Sequence, residues 1–183
     1  MKVITGNPGT GKHTIARILS KKMEFELVDV NKIAIEEKTF GRRKGALEVD
    51  VQKLKRVLNK MVSKNSLLVG HLAPYVVSRN RVEVAVVLRR SPYELERVYK
   101  KRKYYYDKII ENLGSEILGI TYYDTVKNIG QNKTFQFDTT KKSIVNITKK
   151  IEALFLKNNV NGDKVDWLAV VLKNGDLQRF FSY

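Results

Sequence analysis

A glycine-rich stretch near the start of the chain ends in a lysine and leads directly into a helical pattern. Gly6, Gly9 and Gly11 let backbone N–H groups come close to an anion, and Lys12 adds a positive charge. The helix that follows presents its positive N-terminus to the same anion. This combination predicts a phosphate-binding loop whose ligand is a nucleotide polyphosphate. We expect the Lys12 ammonium to be solvated until that ligand binds.

The residues on both sides of the loop support this interpretation. Residues 1–5 are typical of a strand, and Ile15, Ile18, Leu19 and Met23 form one apolar stripe of a helix after the loop. The alternative is a Gly/Pro turn that binds nothing, and a strand and an amphipathic helix in these positions disfavour it.

The residue directly after the lysine departs from the common form of the motif. Ser or Thr usually stands there, but this chain has His13 and places the hydroxyl at Thr14. The fuller pattern, Gly-x-Pro-Gly-x-Gly-Lys-x-Thr, looks like that of nucleoside monophosphate kinases rather than that of GTPases. The GTPase motif Asn-Lys-x-Asp is missing as well, because neither Asn-Lys pair, at 31–32 or 132–133, is followed by Asp in the required place.

Length and composition place the chain among globular proteins. Its 183 residues, of which 43% are apolar, are enough for one domain with a sizeable core. Cysteine is absent, which excludes disulfides and thiolate metal sites and fits a reducing compartment. No apolar run reaches the length of a membrane span, and the phosphate loop begins too early for a cleaved signal. We therefore expect a cytoplasmic protein that makes no membrane contact.

The chain carries a formal net charge of +16, from 35 Lys and Arg against 19 Asp and Glu. Such an excess predicts attraction to polyanions, which include nucleotides, RNA and RNA-rich assemblies. For any single lysine run, the alternative is a solvated surface with no partner.

Apolar runs alternate with helical patterns along the chain, which predicts a parallel α/β sheet with ligands at the carboxyl ends of its strands. After the first strand we predict strands at 25–30, 66–69 and 82–88 and from 134, and helices at 32–38, 51–63, 105–127 and 143–157. The long helix would bury Ile109, Ile110, Leu113, Ile117 and Ile120. Residues 166–175 favour a short helix, and a hairpin at Asn174-Gly175 is the alternative.

Three further segments carry candidate functional residues. The loop 40–50 contains Arg42, Arg43 and Lys44, which would grip a monophosphate or contact RNA, or would simply lie in an exposed mobile loop. His71 follows the third strand and would orient water or move a proton, or else serve as a structural cap. Ser91, Pro92 and Glu94 predict a helix start with a capping box. That helix leads to a basic, tyrosine-rich hinge that contains Arg102, which would close over phosphates or bind RNA.

Taken together, these motifs resemble those of the atypical adenylate kinases, the sixth-isoenzyme type in its archaeal form. The resemblance covers about residues 1–155. Its motifs are Gly6-x-Pro8-Gly9-x-Gly11-Lys12-x-Thr14, Val28-Asp-Val-Asn31 with Ala34-x-Glu36-Glu37, Gly70-His71, Val87-Leu-Arg89-Arg90, and Arg102-x-Tyr104 with Glu111-Asn112-x3-Glu116-Ile117.

The resemblance implies a broad-specificity adenylate kinase that uses ATP and Mg²⁺ and also hydrolyses ATP. It implies a P-loop kinase fold, with a parallel five-stranded sheet flanked by helices and small monophosphate-binding and lid insertions. It further implies a role in maturation of the small ribosomal subunit, through one of its ribosomal proteins. Separately, the net charge of +16 makes ribosomal RNA or a pre-ribosomal particle a further candidate partner.

The resemblance also implies roles for particular residues. The ATP phosphates would be held by Gly9, Gly11, Lys12, His13 and Thr14, with Thr14 close to Mg²⁺ and Arg102 acting from the lid. The phosphate acceptor would be held within 29–50, by Asp29, Asn31, Arg42 and Arg43. Lys12, Arg102 and His71 are the catalytic candidates. The lid would span 101–111, and the C-terminal extension, 160–183, has no assigned role.

Two departures from the family pattern bear on function. The third strand of such kinases usually ends in an acidic residue that helps to place Mg²⁺, but here the candidate positions are Val69 and Gly70. The acceptor loop of the family is often acidic, but here residues 41–45 are basic. Three hypotheses therefore stay open: a monophosphate kinase, an ATP-switched assembly factor with little kinase turnover, and a basic RNA-binding domain.

Overall fold

The computed structural model describes residues 1–43 and 46–181, and for residues 41–43 and 46–48 it describes the backbone alone. Its strands are β1 (Lys2–Gly6), β2 (Glu26–Asp29), β3 (Phe40–Arg43), β4 (Ala46–Val49), β5 (Ser66–Val69), β6 (Val84–Arg89) and β7 (Thr134–Asp138). Its helices are α1 (Lys12–Met23), α2 (Val30–Glu36), α3 (Val51–Met61), α4 (Ala73–Val76), α5 (Pro92–Lys101), α6 (Tyr106–Ile117), α7 (Ile120–Ile129), α8 (Ile144–Phe155), α9 (Trp167–Lys173) and α10 (Leu177–Phe181).

Five parallel strands form the central sheet, in the order β2-β5-β1-β6-β7. The strands are nearly continuous apolar runs because helices cover both faces. In β1, Val3 packs with α3, α4 and α7 on one face, and the next residue, Ile4, packs with α1 and α8 on the other. The predicted parallel α/β fold is therefore confirmed.

The chain after α8 runs beside the edge strand β7 before it reaches α9. The N–H of Asp163 donates to the carbonyl of Gln136 (2.8 Å), and the Asp163 carboxylate accepts from the N–H of Asp138 (2.9 Å). These bonds cover an edge that would otherwise expose unpaired backbone groups. Helices α9 and α10 then pack against α5 and α6, with Val171 and Phe180 fully buried.

The predicted long helix over 105–127 is wrong, because it is two helices with a break at Gly119. Gly119 has a left-handed backbone (φ 67°), and the carbonyl of Glu116 accepts a hydrogen bond from Arg89 Nη2 (2.7 Å). In a continuous helix, that carbonyl would accept a hydrogen bond from the N–H of Ile120. Arg89 takes the place of this donor and so stabilises the break. As a result Ile120 is 41% exposed rather than buried.

Other local predictions also need correction. The loop 40–50 forms an antiparallel hairpin, β3–β4, in which Phe40 pairs with Val49. Helix α5 begins where predicted, but Ser91 makes no side-chain cap, and Glu94 pairs with Arg90 (2.8 Å) instead. In α1, Ile18 is exposed. Helix α4 was not predicted from the sequence.

The prediction for the tail agrees with the structure. Residues 166–175 contain helix α9 rather than the alternative hairpin. No helix in the described part of the chain is long and apolar enough to cross a membrane. The division into monophosphate-binding, lid and C-terminal regions stays a prediction.

Candidate active site

The phosphate-binding loop connects β1 to α1, and two of its glycines lie close against distant elements. A Cβ on Gly6 would lie 2.5 Å from the carbonyl oxygen of Leu88 in β6, and a Cβ on Gly9 would lie 3.0 Å from Leu95 Cδ2 in α5. Gly11 has a left-handed backbone (φ 91°), and a Cβ there would meet no atom within 4 Å. Gly11 therefore faces open space, which is the approach that the sequence predicts for the anion.

Hydrogen bonds from α5 and its flanks hold the carbonyl groups of the loop. The hydroxyl of Tyr99 donates to the carbonyl of Pro8 (2.7 Å), and Arg90 Nη1 donates to that of Gly9 (3.0 Å). Within the described residues, the backbone N–H groups of Gly9, Gly11, Lys12, His13 and Thr14 donate to no protein acceptor. A loop with its carbonyls bound to protein and its N–H groups free is built for an anion.

Beneath the loop, the side chain of Asn7 is fixed by a buried carboxylate from α6. Glu116 accepts hydrogen bonds from Asn7 Nδ2 (2.7 Å), Arg89 Nε (2.7 Å), the N–H of Arg90 (3.1 Å) and Trp167 Nε1 (3.1 Å). Burial raises the pKa of Glu116, and the charge of Arg89 opposes that rise. Since all four partners donate, they favour the ionised carboxylate. Through Glu116, Trp167 of the C-terminal extension is thus linked to Asn7 of the phosphate loop.

Lys12 is buried, and the prediction that it is solvated before nucleotide binds is wrong. Lys12 is 5% exposed, and its Nζ donates to the carbonyl of Asn7 (3.2 Å). Burial, and then the charge of Arg102, lower the pKa of Lys12 to about 8, while Asp29 opposes the shift. An anion in the loop would relieve the repulsion between the two cations and favour the charged ammonium.

A cleft of about 430 Å³ opens over the loop and brings together most of the predicted site residues. It is lined by Asn7, Pro8, Gly9, Gly11, Lys12, His13, Thr14, Asn31, His71, Arg102, Tyr104, Lys108 and Asn112. Arg102 follows the last turn of α5, so a cation from an element far along the chain already lies in the same cleft as Lys12. Asn112 was not assigned a role from sequence, although its position carries part of the family resemblance.

Two polar pairs stand at the carboxyl ends of β2 and β5. His13 Nε2 lies 3.2 Å from Asp29 Oδ2, and Asn31 Nδ2 lies 3.2 Å from His71 Nδ1. Burial and the nearby charge of Lys12 lower the pKa of both histidines, so both are neutral near pH 7. With the Asn31 amide in this orientation, Nδ1 of His71 accepts and Nε2 carries the proton. Arg42 and Arg43 were predicted to bind the acceptor, but their side chains lie outside the described residues, as does Lys44.

Of the side chains that the structure describes, those near Lys12 do not form the oxygen set that Mg²⁺ prefers. The position directly after Lys12 holds an imidazole, and β5 ends in the buried, apolar Val69. An acidic side chain at Gly70 would be obstructed, because its Cβ would lie 3.1 Å from Asn31 Oδ1 and 3.1 Å from Val30 Cβ. Thr14, the predicted metal ligand, lies in the cleft. In the described part of the chain, no group of three or more His, Cys, Asp or Glu side chains is placed to hold a metal ion.

A second, smaller cleft of about 170 Å³ lies on the other side of Gly11. Its lining combines apolar and polar side chains from α1, α8 and the loop after β7: Thr10, Gly11, Ile15, Arg90, Thr139, Lys142, Ile144 and Ile147. A small pocket of this kind, next to a phosphate loop, suits a flat, partly apolar group attached to the phosphates.

Comparison with known proteins agrees with this geometry. Residues 3–119, more than half of the chain, match the protein family described as an AAA domain. The chain belongs to this family. A protein of Pyrococcus abyssi (strain GE5 / Orsay), named "Putative adenylate kinase", is 31% identical over 170 residues, which cover 91% of each chain. A protein of Sulfurisphaera tokodaii with the same name is 29% identical over 171 residues, which cover 92% of this chain and 86% of the relative. The resemblance in the motifs is thus confirmed at the level of an adenylate kinase family.

Solved structures agree on the fold. The shikimate kinase of Acinetobacter baumannii, in complex with shikimate, has a TM-score of 0.54 at 18% identity and covers 87% of this chain and 95% of its own. A gluconokinase of Sinorhizobium meliloti has a TM-score of 0.52 at 14% identity, over 100% of this chain and 97% of its own. These neighbours share the fold of this chain, so the predicted P-loop kinase fold, a parallel five-stranded sheet flanked by helices, is confirmed.

Proposed function

We propose that the protein is a nucleoside monophosphate kinase that transfers the γ-phosphate of ATP to AMP-type acceptors. The observation that carries this proposal is the two-sided cleft over the phosphate loop. Lys12 and Arg102 converge on it from α1 and α5, and Asn31 and His71 stand at its far side. One half would hold the donor phosphates, and the other would hold the acceptor. The relatives named "Putative adenylate kinase" support the same activity.

On the donor side, the free N–H groups of the loop would hold the β- and γ-phosphates, as they do in P-loop proteins. The smaller cleft would take the base of ATP, between Ile15 and the loop after β7. On the acceptor side, Asn31 and the N–H of His71 Nε2 would donate to acceptor oxygens. Arg42 and Arg43, in the hairpin that follows α2, are the proposed contacts to the acceptor phosphate.

The chemistry needs no protein nucleophile. An oxygen of the acceptor phosphate forms a bond to the γ-phosphorus while the bond from that phosphorus to the β,γ-bridging oxygen breaks, and ADP leaves with the bonding electron pair. Catalysis of this step depends on alignment and charge neutralisation. Lys12 and Arg102 would supply two of the positive charges, and the loop would supply aligned N–H donors.

The lid would be the segment 101–111, and its tyrosines link it to the loop. The ring of Tyr104 stacks on that of Tyr99, with centroids 5.5 Å apart and planes 9° apart, and Tyr99 is hydrogen-bonded to Pro8. Lys108 Nζ lies 5.2 Å from the centre of the Tyr104 ring. Closure of this segment over the nucleotide would exclude water and favour transfer over hydrolysis.

The proposal is tested by measuring ADP production from ATP at increasing AMP. We expect ADP in proportion to the AMP supplied, with Lys21→Met as an active control, because Lys21 lies exposed on α1. Lys12→Met should be inactive. ATP consumption that ignores AMP, and every other nucleoside monophosphate, would contradict a kinase.

A second candidate is an ATP-switched factor in small ribosomal subunit maturation, which would bind a ribosomal protein and ribosomal RNA. The basic face of α3 favours it, because no acidic residue occurs between Val51 and Asn65, and the segment carries Lys53, Lys55, Arg56, Lys60 and Lys64. ATP hydrolysis stimulated by ribosomal RNA and unaffected by AMP would support this candidate. RNA binding that is unaffected by ATP would instead support a plain RNA-binding domain.

A further inference from the structure

The residue after the phosphate-loop lysine differs from the common motif in a way that changes its chemistry. In P-loop proteins that position usually carries a Ser or Thr whose hydroxyl binds the Mg²⁺ of the nucleotide. Here it is His13, in the first turn of α1, with its side chain 36% exposed and lining the cleft. An imidazole nitrogen thus stands where the motif normally provides an oxygen.

Asp29, at the end of β2, has one oxygen directed at this imidazole. Its Oδ1 caps α2 by accepting from the N–H groups of Asn31 (3.1 Å) and Lys32 (3.2 Å). Its Oδ2 lies 3.2 Å from His13 Nε2. The cap occupies one oxygen only, and the second is held by His13 at hydrogen-bond distance, so an ion that replaced this contact would find both atoms as ligands.

The separation of the two atoms suits a metal ion. Two ligands that each lie about 2.1 Å from a cation, at a right angle to one another, are about 3.0 Å apart. The observed 3.2 Å is close to that value. Asp29 and His13 would therefore need only a small shift to occupy adjacent positions on one ion.

The charge of the cleft explains why the ion would arrive with a nucleotide. Among the described residues, the side chains that line the cleft include Lys12, Arg102 and Lys108 and no carboxylate, and Asp29 stands beside His13 as the acidic partner. Two protein ligands next to three cations bind a free divalent ion weakly. The phosphates of a bound nucleotide would add the remaining charge and ligands, as in other nucleotide-dependent sites.

We propose that His13 and Asp29 bind the divalent cation of the metal–nucleotide complex, and that His13 makes the site prefer first-row transition metals such as Mn²⁺ and Co²⁺ over Mg²⁺. The preference follows from ligand type, because first-row transition ions accept an imidazole nitrogen more readily than Mg²⁺, which favours oxygen ligands and gives up water reluctantly. This inference rests on the proposed nucleotide-binding function of the cleft. His13 is then a determinant of metal specificity rather than a variant of the loop.

The direct test is pulsed electron paramagnetic resonance of Mn²⁺ bound with a non-hydrolysable ATP analogue. A directly coordinated imidazole gives a ¹⁴N coupling, and the chain has only two histidines, His13 and His71. We expect the coupling in the wild type and in His71→Gln, and its loss in His13→Ser, which restores the common motif. A coupling that survives in His13→Ser, or is absent from the wild type with analogue and Mn²⁺ bound, would overturn the proposal.

Calorimetry gives an independent readout. For the wild type, the analogue should bind more tightly with Mn²⁺ than with Mg²⁺. His13→Ser should reduce the ratio of these two affinities by a factor on the order of 10, the lower end of the loss seen when groups that support a metal site are removed. Asp29→Asn keeps the oxygen that caps α2 and should weaken binding with both metals. An unchanged ratio in His13→Ser would contradict the role of His13.

Binding of the analogue in the presence of a chelator tests the nucleotide site separately from the metal site. If the analogue binds wild-type protein, with or without metal, but no ¹⁴N coupling is found, only the metal assignment is wrong. If it fails to bind under every condition, the nucleotide site itself is wrong, and both proposals fall.

Discussion

Because Lys12 is buried, we expect it to lower the free energy of unfolding, although the activity of the protein depends on it. The pKa of Lys12 is lowered from 10.5 to about 8 in the folded protein. This difference of about 2.5 units, at about 1.36 kcal/mol per unit, corresponds to about 3 kcal/mol. The unfolded chain binds the proton more tightly. Lys12 therefore lowers the free energy of unfolding by this full amount below pH 8, and the effect disappears as the pH rises through 10.5.

Replacing Lys12 with Met should remove this cost while keeping a long apolar side chain in the same space. The hydrogen bond from Nζ to the carbonyl of Asn7 is lost, at about 1 kcal/mol, although Thr10 Oγ1 still donates to that carbonyl (2.9 Å). We therefore expect Lys12→Met to raise the free energy of unfolding at pH 7 by about 2 kcal/mol, or Tm by about 4 to 8 °C. ATP-dependent turnover should be abolished in the same variant.

The measurement is urea unfolding without nucleotide, at pH 7 and again near pH 10.5, for wild type, Lys12→Met and Lys21→Met. Comparing the variants at each pH removes the contribution of other groups that titrate in this range. The gain from Lys12→Met should shrink as the pH rises, and the exposed Lys21 should show neither gain nor trend. A Lys12→Met protein that is no more stable than wild type at pH 7, or a gain independent of pH, would refute the reasoning.

Four other outcomes are expected, three from the site and one from the net charge of +16. Arg102→Ala should slow turnover by about 10²-fold with little change in ATP affinity if Arg102 acts mainly in the transition state; steady-state kinetics with calorimetry would show it, and equal losses in both would contradict it. Glu116→Gln leaves Arg89 without its carboxylate and should lower the free energy of unfolding by about 3 to 5 kcal/mol in a urea titration; a loss under about 1 kcal/mol would argue against an ionised pair. Because Trp167 and Asn7 share Glu116, the fluorescence of this single tryptophan should change when an ATP analogue saturates the protein, and no change would indicate that the extension does not sense the loop. Binding to ribosomal RNA, if about six phosphates are neutralised, should weaken roughly 10³-fold from low to physiological salt, and a flat response would mean a merely solvated surface.

The sequence by itself determined the phosphate loop, the parallel α/β sheet and the family. These features depend on short spacings, such as the glycines before Lys12 and the apolar runs of the strands, which are visible within a few residues. The grouping of Asn31, His71 and the loop in one cleft also follows, because the carboxyl ends of parallel strands meet at one edge of a sheet.

Only the tertiary structure decided the state of the site. Lys12 is buried because the loop folds over it, and its pKa falls partly because Arg102 arrives from the end of α5, about ninety residues later in the chain. The same holds for Gly9, whose packing partner lies in α5, and for the helix break at Gly119, which Arg89 of β6 stabilises. Desolvation, charge and hydrogen bonding depend on neighbours in space, so they emerge only when distant segments have been placed against one another.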